Sequence, residues 1–417
     1  MIDLKLLRAS PGQVRAALAR RGDASLTRLL DEIEALDMKR RTLTAQLDTL
    51  KAERNDAAKA DALAAKQGGL TPAVIAERKK LGDRITNLES ELRQIEATLE
   101  AKALFVPNPP LGDVPEEVTI VRSWGTPAAK GGKPHWEIAE QLGLLDLPRG
   151  AKLAGSGFPV LLGRGARLAR ALINFMLDLH TKEHGYTEVE PPFLVRRDIM
   201  TGTGQLPKFE DDAYRTTDDL FLIPTAEVPV TNLHRDEILD GTTLPMGYVA
   251  YTPCFRCEAG AAGKDTRGLL RVHQFDKVEL VRFSRAADSP GEHEKLTGHA
   301  EAVLQRLELP YRVVLLPAND FGFAAAKTYD LEAWAPGVGQ WLEVSSSSTF
   351  TDYQARRANI RYRPKPGEKP EFVHTLNASG VALPRTIAAL LETHQQPDGS
   401  VTIPPALVPY VGTDRIA

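Results

Sequence analysis

Apolar residues in the first hundred positions recur at alternating spacings of four and three, the pattern of one face of an α-helix. The segment between the two apolar stripes contains Gly68, Gly69 and Pro72, with Thr71 as a candidate N-cap. The pattern therefore predicts a coiled-coil hairpin of two long helices at about residues 27–102. Its apolar positions are Leu29, Ile33, Leu36, Leu43, Leu47 and Leu50, with Arg40 in register, and then Val74, Leu81, Ile85, Leu88, Leu92, Ile95 and Leu99.

After the proline-rich segment 107–110, short β-rich runs and isolated helical runs follow in mixed order. They do not alternate regularly, and neither G-x-G-x-x-G nor a Walker P-loop is present, so we expect an α+β domain with an antiparallel sheet flanked by helices. The expected domains are 1–110 and 111–417. Predicted strands are 220–223, 248–252, 277–283, 311–316, 327–334 and 341–345, and predicted helices are 167–183, 292–307 and 386–393.

Composition narrows the class of protein. The chain has 417 residues, of which 42% are hydrophobic and 26% charged, and this mixture is typical of a folded multidomain protein. Because there are two cysteines, no apolar run of about 18 residues and no signal-peptide pattern at the N-terminus, we expect a cytoplasmic location and no membrane partner. The net charge of −3 predicts no global attraction to nucleic acid.

The hairpin nevertheless carries many cations, interleaved with acidic residues. The pattern alone leaves two interpretations open: a solvated surface or dimerisation zipper, or an arm that binds along an RNA phosphate backbone. The candidate RNA-binding side chains are Lys39, Arg40, Lys51, Arg54, Arg78 and Lys79.

The densest polar cluster lies between residues 251 and 279. Two strands joined by a glycine-rich loop would bring Arg256 and Glu258 opposite Arg271 and Phe275. Arginine forks suit phosphate, an aromatic face suits a base, and a carboxylate suits an exocyclic amine. The pattern favours a nucleotide site over the alternative of an exposed hairpin with salt bridges.

Cys254 and Cys257 match C-x-x-C, the spacing of many zinc and redox sites. Zinc needs about four ligands, and the chain has no second cysteine pair. We therefore do not assign metal or disulfide chemistry to this motif.

Three further segments are ambiguous by themselves. Glu343 is close in sequence to Ser345 and Ser346. This oxygen-rich segment is either a Mg²⁺ site or a structural serine-rich turn. Thr225-Ala226-Glu227 is either a capped helix start or the wall of a polar pocket. Arg385 follows the polar run 374–380 near an expected helix N-terminus, where anions bind readily.

Together these segments closely resemble seryl-tRNA synthetase, a class II aminoacyl-tRNA synthetase, over essentially the whole chain. Residues 185–195 resemble class motif 1, residues 251–281 resemble motif 2, and residues 374–394 resemble motif 3. The resemblance to motif 1 implies that Pro191 or Pro192 lies at a dimer interface. The strings at 202–209, 225–229 and 353–359 are more specific to this family than the class motifs. Departures from the family's usual residues are Cys257, Ala378, Pro384 and the stretch 347–349.

The resemblance implies a role for each matching residue. Arg256 and Arg385 would be the catalytic pair that holds the α- and γ-phosphates of ATP. Phe275 would stack on adenine, Glu258 would contact its amino group, and Glu343 and Ser346 would serve Mg²⁺. The remaining implied ATP contacts are Cys257, Arg271, Val272, Val344 and Ser345, and the implied serine contacts are Thr225, Ala226, Glu227, Glu279, Asn377 and Ser379.

The resemblance also implies an ATP-dependent serine–tRNA ligase. Serine would be activated to seryl-adenylate and transferred to the 3′ end of tRNA(Ser), with tRNA(Sec) as a second candidate acceptor, by a Mg²⁺-dependent homodimer. The hairpin would be the tRNA-binding arm. Two other functions fit the same fold: a paralogue that passes serine to a carrier protein or an amine, and a catalytically inactive binding protein.

Overall fold

The computed structural model describes residues 1–65, 69, 71–258 and 267–417. The chain forms two compact units, Ile2–Pro107 and Asn108–Ala417, the latter together with Met1. No helix in the described part is long and apolar enough to cross a membrane. The helices of the first unit are α1 Leu4–Ala9, α2 Pro11–Ala19, α3 Ser25–Ala65 and α4 Pro72–Ala103.

The two long helices α3 and α4 pack antiparallel. Ion pairs join Glu32 to Lys102 and Lys39 to Glu91, so the partner's residue number falls as the number along α3 rises. Thr71 caps α4, accepting a hydrogen bond from the backbone N–H of Val74 at 3.4 Å. The predicted hairpin is confirmed, although most of its turn, residues 66–68 and 70, lies outside the described residues.

The predicted buried positions of the hairpin are correct in the middle of α3, but near its start the buried positions differ from the predicted ones. The predicted Leu43, Leu47 and Leu50 are buried, and Leu47 and Leu50 pack on Ile85. Leu29 and Leu36 are only half-buried, whereas Leu26 and Leu30 are buried in their place.

A polar residue explains the shift. The Asp37 side chain is buried and forms ion pairs with Arg8 of α1 at 2.9 Å and with Arg40 at 3.0 Å. Burial opposes ionisation of Asp37, but the hydrogen bonds from both arginines lower the pKa of its carboxyl. The shorter helices thus cover the first turns of α3, and Arg40 points toward a buried partner.

The second unit contains the remaining elements. In chain order they are β1 Thr119–Trp124, α5 His135–Gln141, β2 Leu145–Asp146, α6 Leu147–Ala154, β3 Val160–Leu161, α7 Arg164–Lys182, β4 Thr187–Glu188, β5 Leu194–Arg196, α8 Arg197–Thr203, β6 Leu220–Leu222, α9 Glu227–Thr231, β7 Ile238–Asp240, β8 Met246–Phe255, β9 Gln274–Ser284, α10 Ser289–Arg306, β10 Tyr311–Leu315, β11 Lys327–Ala335, β12 Gln340–Thr351, α11 Tyr353–Ala358, β13 Arg361–Arg363, β14 Glu371–Phe372, β15 His374–Ala382, α12 Leu383–Thr393, β16 Val401–Thr402, α13 Val408–Val411 and β17 Arg415–Ile416.

An eight-stranded sheet organises this unit, in the order β1-β10-β11-β12-β15-β9-β8-β4. Every neighbouring pair is antiparallel except β4 and β8, which are parallel. Helices α7, α10 and α12 contribute Leu172, Leu304 and Leu390 to the largest apolar core, beside sheet residues such as Leu280 and Leu376. The expected antiparallel α+β sheet flanked by helices is confirmed.

The central strand β15 is the main element that the sequence pattern did not predict. Its sequence, His374–Ala382, is rich in polar and small residues, so the pattern did not predict a strand there. Helix α12 follows directly, and Pro384 lies in its first turn, where the missing N–H has no intrahelical partner to lose. The departure at Pro384 is therefore compatible with the helix that carries Arg385.

Candidate active site

One cavity of about 610 Å³ opens on the face of the sheet formed by β8, β9, β12 and β15. Its volume lies in the range that holds a small ligand or cofactor. Fourteen of the seventeen residues implied for serine and ATP line it: Thr225, Glu227, Arg256, Glu258, Arg271, Val272, Phe275, Glu279, Glu343, Val344, Ser346, Asn377, Ser379 and Arg385.

A cation and an aromatic ring form one wall of the cavity. The guanidinium carbon of Arg256 lies 5.1 Å from the centre of the Phe275 ring. The backbone N–H of Arg256 donates to the His273 carbonyl at 2.8 Å, which fixes the segment just beyond the end of β8. A guanidinium and an aromatic ring that line one cavity can bind a phosphate and a stacked base at the same time.

Glu258 and Arg271 form an ion pair on the same side. Arg271 Nε donates to Glu258 Oε2 at 2.6 Å. Glu258 adopts a left-handed backbone conformation with φ of 52°, which turns the chain directly after the segment of Arg256. The loop predicted to follow, residues 259–266, lies outside the described residues.

Arg385 occupies another wall of the cavity. Its guanidinium donates to the Leu270 carbonyl at 3.0 Å and to the Glu343 carbonyl at 2.9 Å. The Nη1 atom also lies 3.2 Å from Glu343 Oε2. These bonds orient the planar fork toward the cavity, where a phosphate could compete for it.

Oxygen donors collect beside Glu343. Its side chain is 47% exposed, and Ser346 lies three residues further along β12. Asp330 pairs with Ser346 across β11 and β12, and its buried Oδ1 atom has no hydrogen-bond partner in the described part of the chain. Burial, together with the Glu343 carboxylate, raises the pKa of Asp330 to about 8.

This donor set fits Mg²⁺, which takes one or two carboxylates and shares its remaining ligands with water and substrate phosphate. Within the described ranges, no group of three or more His, Cys, Asp or Glu side chains is arranged to hold a metal. A cation here would therefore depend on the phosphates of a nucleotide for the rest of its ligands.

Carboxylates and hydroxyls line the inner end of the cavity. Glu279 on β9 lies directly opposite Ser379 on β15, so both side chains share one face of the sheet. Thr225 is buried just before α9, and its hydroxyl accepts a hydrogen bond from the backbone N–H of Glu227 at 3.2 Å. Such a pocket suits a small ligand that carries an ammonium and a hydroxyl group.

A buried amide holds Glu227 in place. Gln354 Nε2 donates to Glu227 Oε1 at 2.6 Å and to the Thr203 carbonyl at 3.1 Å, while its Oε1 accepts from the Thr375 hydroxyl at 2.7 Å. Burial, reinforced by the Glu279 carboxylate, raises the pKa of Glu227 to about 7. An incoming ammonium would stabilise the charged form of this carboxyl.

Three implied site residues do not line the cavity. Ala226 is buried in an apolar cluster with Val230. Cys257 donates its backbone N–H to the Asp212 carbonyl at 3.1 Å, and the Ser345 hydroxyl donates to the Ser379 carbonyl at 2.6 Å. The Ser345 hydroxyl therefore supports the pocket wall, and a role in ligand binding for any of the three remains a prediction.

The unpredicted residues that bear most on the chemistry of the cavity are Lys277, which lines it, and Asp330 and Gln354, which lie behind Ser346 and Glu227. Lys277 could have been found, because it lies two residues from both Phe275 and Glu279 on a predicted strand and thus shares their face. Gln354 and Asp330 are far from their partners in sequence, so no local pattern indicated their contacts.

The candidate RNA-binding cations of the hairpin fall into two groups. Lys39, Lys51 and Arg78 form ion pairs across the hairpin with Glu91, Glu89 and Asp61, and Arg40 pairs with Asp37. Arg54 and Lys79 are exposed and form no ion pair with any described residue. Their charge is the more available for a phosphate.

Comparison with known proteins identifies the family. Residues 1–110 match the seryl-tRNA synthetase N-terminal domain, and residues 208–394 match the class II tRNA synthetase core domain for G, H, P, S and T. A serine–tRNA ligase of Gemmatimonas aurantiaca is 58% identical, with all of both chains aligned. The chain belongs to the seryl-tRNA synthetase family.

Solved structures of this family have the same fold. Pyrococcus horikoshii seryl-tRNA synthetase complexed with ATP has a TM-score of 0.95 at 41% identity and covers 100% of this chain and 99% of its own. The cytoplasmic serine–tRNA ligase of Naegleria fowleri in complex with AMP has a TM-score of 0.88 at 32% identity, covering 100% and 98%. Both neighbours carry an adenine nucleotide.

Proposed function

We propose that this seryl-tRNA synthetase family member activates L-serine with ATP and transfers it to the 3′ end of tRNA(Ser). The observation that carries the proposal is one cavity in which the Arg256–Phe275 wall adjoins the pocket of Thr225, Glu227 and Glu279. A nucleotide and a hydroxy-amino acid would thus meet at their reacting groups.

In the first step, the serine carboxylate attacks the α-phosphorus of ATP in line and pyrophosphate leaves. No protein nucleophile is needed, so the chain acts by positioning and by offsetting phosphate charge. Arg256 would hold the α-phosphate, and Phe275 would stack on adenine. Arg385 would break its ion pair with Glu343 and bind the γ-phosphate.

Mg²⁺ would be held by Glu343 and Ser346, with Asp330 beside them, and would neutralise phosphate charge. In the serine pocket, Glu227 would form an ion pair with the ammonium group of serine, while Glu279 and Ser379 would form hydrogen bonds with its hydroxyl. A pocket built to bond a hydroxyl rejects alanine, because its own polar groups would be left unpaired.

In the second step, a terminal ribose hydroxyl of tRNA attacks the activated carbonyl and AMP leaves. We assign tRNA binding to the hairpin of α3 and α4, with Arg54 and Lys79 as its most available cations. We also propose a homodimer. A groove at the motif 1 segment supports this proposal, because its lining combines the apolar Leu161, Ile173, Leu177 and Val189 with the charged Arg170, Glu188, Glu190 and Asp276.

The test is an aminoacylation assay with purified protein, ATP, Mg²⁺, labelled serine and bulk tRNA. We expect serine in the acid-insoluble tRNA fraction, no signal with labelled alanine, and no signal with Arg256→Ala. Serine-dependent ATP–pyrophosphate exchange without label on tRNA would instead support transfer to a carrier protein or an amine. Absence of both signals would support the inactive binding protein.

Purified tRNA(Ser) and tRNA(Sec) transcripts would then separate the two candidate acceptors. Sedimentation velocity would measure the oligomeric state, and a stable monomer with full charging activity would contradict the homodimer.

A further inference from the structure

Lys277 lies at the inner end of the cavity but has no role in the mechanism above. Strand β9 presents Phe275, Lys277 and Glu279 on one face, because side chains alternate along a strand. Lys277 therefore lies between the proposed adenine wall and the proposed serine pocket. Only 6% of its surface is exposed.

The ammonium group of Lys277 joins two residues of the serine pocket. Its Nζ atom lies 2.6 Å from Glu279 Oε2 and donates to the Thr225 hydroxyl at 3.0 Å. The contact with Glu279 has the distance of an ion pair without the alignment of a hydrogen bond, and Oε2 has no hydrogen-bond partner among the residues that the structure describes. That oxygen can still accept a hydrogen bond from a ligand.

Charge explains why this arrangement matters. Burial raises the pKa of Glu227, and the nearby charge of Glu279 raises it further. A buried carboxylate without a counter-ion is costly, and Lys277 supplies the counter-ion for Glu279. The ammonium of a bound amino acid is then directed to Glu227.

Other charged and titratable groups around Lys277 are few. Arg256 and the buried Cys254, both near β8, interact electrostatically in the same region, and Cys254 is kept neutral because burial raises the pKa of its thiol.

We propose that Lys277 is a positioning residue that holds Glu279 and Thr225 for the side-chain hydroxyl of the amino-acid substrate. Lys277 thereby sets the preference for serine over alanine. This inference rests on the proposed serine activation. Without Lys277, Glu279 would lose its counter-ion and turn toward the substrate ammonium, where it would bond the hydroxyl poorly.

The experiment compares Lys277→Met, which keeps the length of the side chain and removes its charge, with Lys365→Met, an exposed lysine in the same unit. ATP–pyrophosphate exchange measures KM and kcat with serine and with alanine. We expect Lys277→Met to raise the KM for serine at least tenfold, to leave the KM for ATP within about twofold, and to reduce the serine-to-alanine ratio of kcat/KM at least tenfold.

A pH profile gives a readout that a purely structural role would not change. The charge of Lys277 opposes the rise in the pKa of Glu227, so in Lys277→Met that pKa should increase, and the acid limb of kcat/KM for serine should move to higher pH. The double variant Lys277→Met/Glu279→Gln removes both charges. It should regain the thermal stability of the wild type but not its discrimination against alanine.

Unchanged serine KM and alanine discrimination in folded Lys277→Met would overturn the inference. A parallel loss of serine and ATP binding, with a lower Tm that the double variant does not restore, would also overturn it. Failure of the wild type to exchange pyrophosphate with serine would refute the proposed function itself.

Discussion

Arg385 and Glu343 pair across one wall of the cavity, with Nη1 and Oε2 3.2 Å apart. The two residues are proposed to bind different parts of one substrate, the γ-phosphate and its cation. Binding of ATP with Mg²⁺ would therefore exchange this pair for two stronger, charge-assisted contacts. The ion pair keeps both side chains in place before the nucleotide arrives.

Replacement of Arg385 should weaken nucleotide use. We expect Arg385→Ala to lower kcat/KM for ATP in pyrophosphate exchange by about 100-fold, because one preorganised phosphate contact is lost. Arg196→Ala, which removes an exposed arginine paired with Asp198, is the matched control and should retain activity. Equal ATP kinetics in the two variants would contradict a phosphate contact at Arg385.

Replacement of Glu343 should change the demand for metal. Glu343→Gln keeps the shape of the side chain but removes a charge, so we expect a higher Mg²⁺ concentration for half-maximal exchange. Titration of Mn²⁺ by electron paramagnetic resonance, with ATP present, measures the binding directly. The same Mn²⁺ affinity in variant and wild type would remove Glu343 from the cation site.

Glu227 should make serine use depend on pH near neutrality. With the pKa of Glu227 raised to about 7, the carboxylate proposed to bind the ammonium forms as pH rises through that value. We expect kcat/KM for serine to fall below about pH 7 in the wild type. Glu227→Gln should lose this limb and show a KM for serine about 10- to 100-fold higher, as measured by pyrophosphate exchange.

The raised pKa of Glu227 also predicts that the thermal stability of the protein depends on pH. A carboxyl whose pKa is raised on folding stabilises the native state at low pH, and this contribution is lost as pH rises through the raised value. The Tm of the ligand-free wild type should therefore fall relative to that of Glu227→Gln between about pH 5 and pH 8. A constant difference in Tm over that range would mean that Glu227 titrates normally.

The hairpin cations should differ in their importance for tRNA. We expect Arg54→Ala/Lys79→Ala to weaken tRNA binding and to reduce its salt slope by about 2, because two phosphate contacts are lost. Lys39→Ala/Lys51→Ala should have a smaller effect, since Glu91 and Glu89 already offset these charges. Filter binding over a salt series measures both, and pyrophosphate exchange should be unchanged in both variants.

The buried Asp37 should stabilise the first unit. Asp37→Ala leaves Arg8 and Arg40 without their shared partner, and breaking a buried pair costs about 3 kcal/mol. Hydrogen exchange of the α3 amides in the full chain should speed up accordingly. Because the pKa of Asp37 is lowered on folding, its contribution should be lost as pH falls through that lowered value.

Sequence patterns predicted elements wherever one face of an element is apolar and the other polar. The leucines at 43, 47 and 50 and the strand β11 follow this rule, whereas β9 is buried on both faces from Lys277 to Ser284. The rule failed at Asp37, where an ion pair replaces an apolar side chain in the core. It also failed at β15, where Asn377 and Ser379 are buried because they line the cavity.

Residues that line the cavity were predicted where motif residues cluster along the chain, as at Arg256 and Phe275. Gln354 was missed because its contacts with Glu227 and Thr375 form only after α11 packs near α9 and β15. Buried polar networks of this kind are specified by tertiary packing, and a single sequence carries no local signal for them.

Strand β9 also limits the length of the ligand that the cavity accepts. Phe275 and Glu279 are four residues apart, and at about 3.3 Å per residue their backbone positions are about 13 Å apart. The pleat keeps that interval constant, so a purine at one end and a hydroxyl at the other must be joined by a connector of fixed span. Insertion of one residue between them would lengthen the interval and turn one of the two side chains to the opposite face.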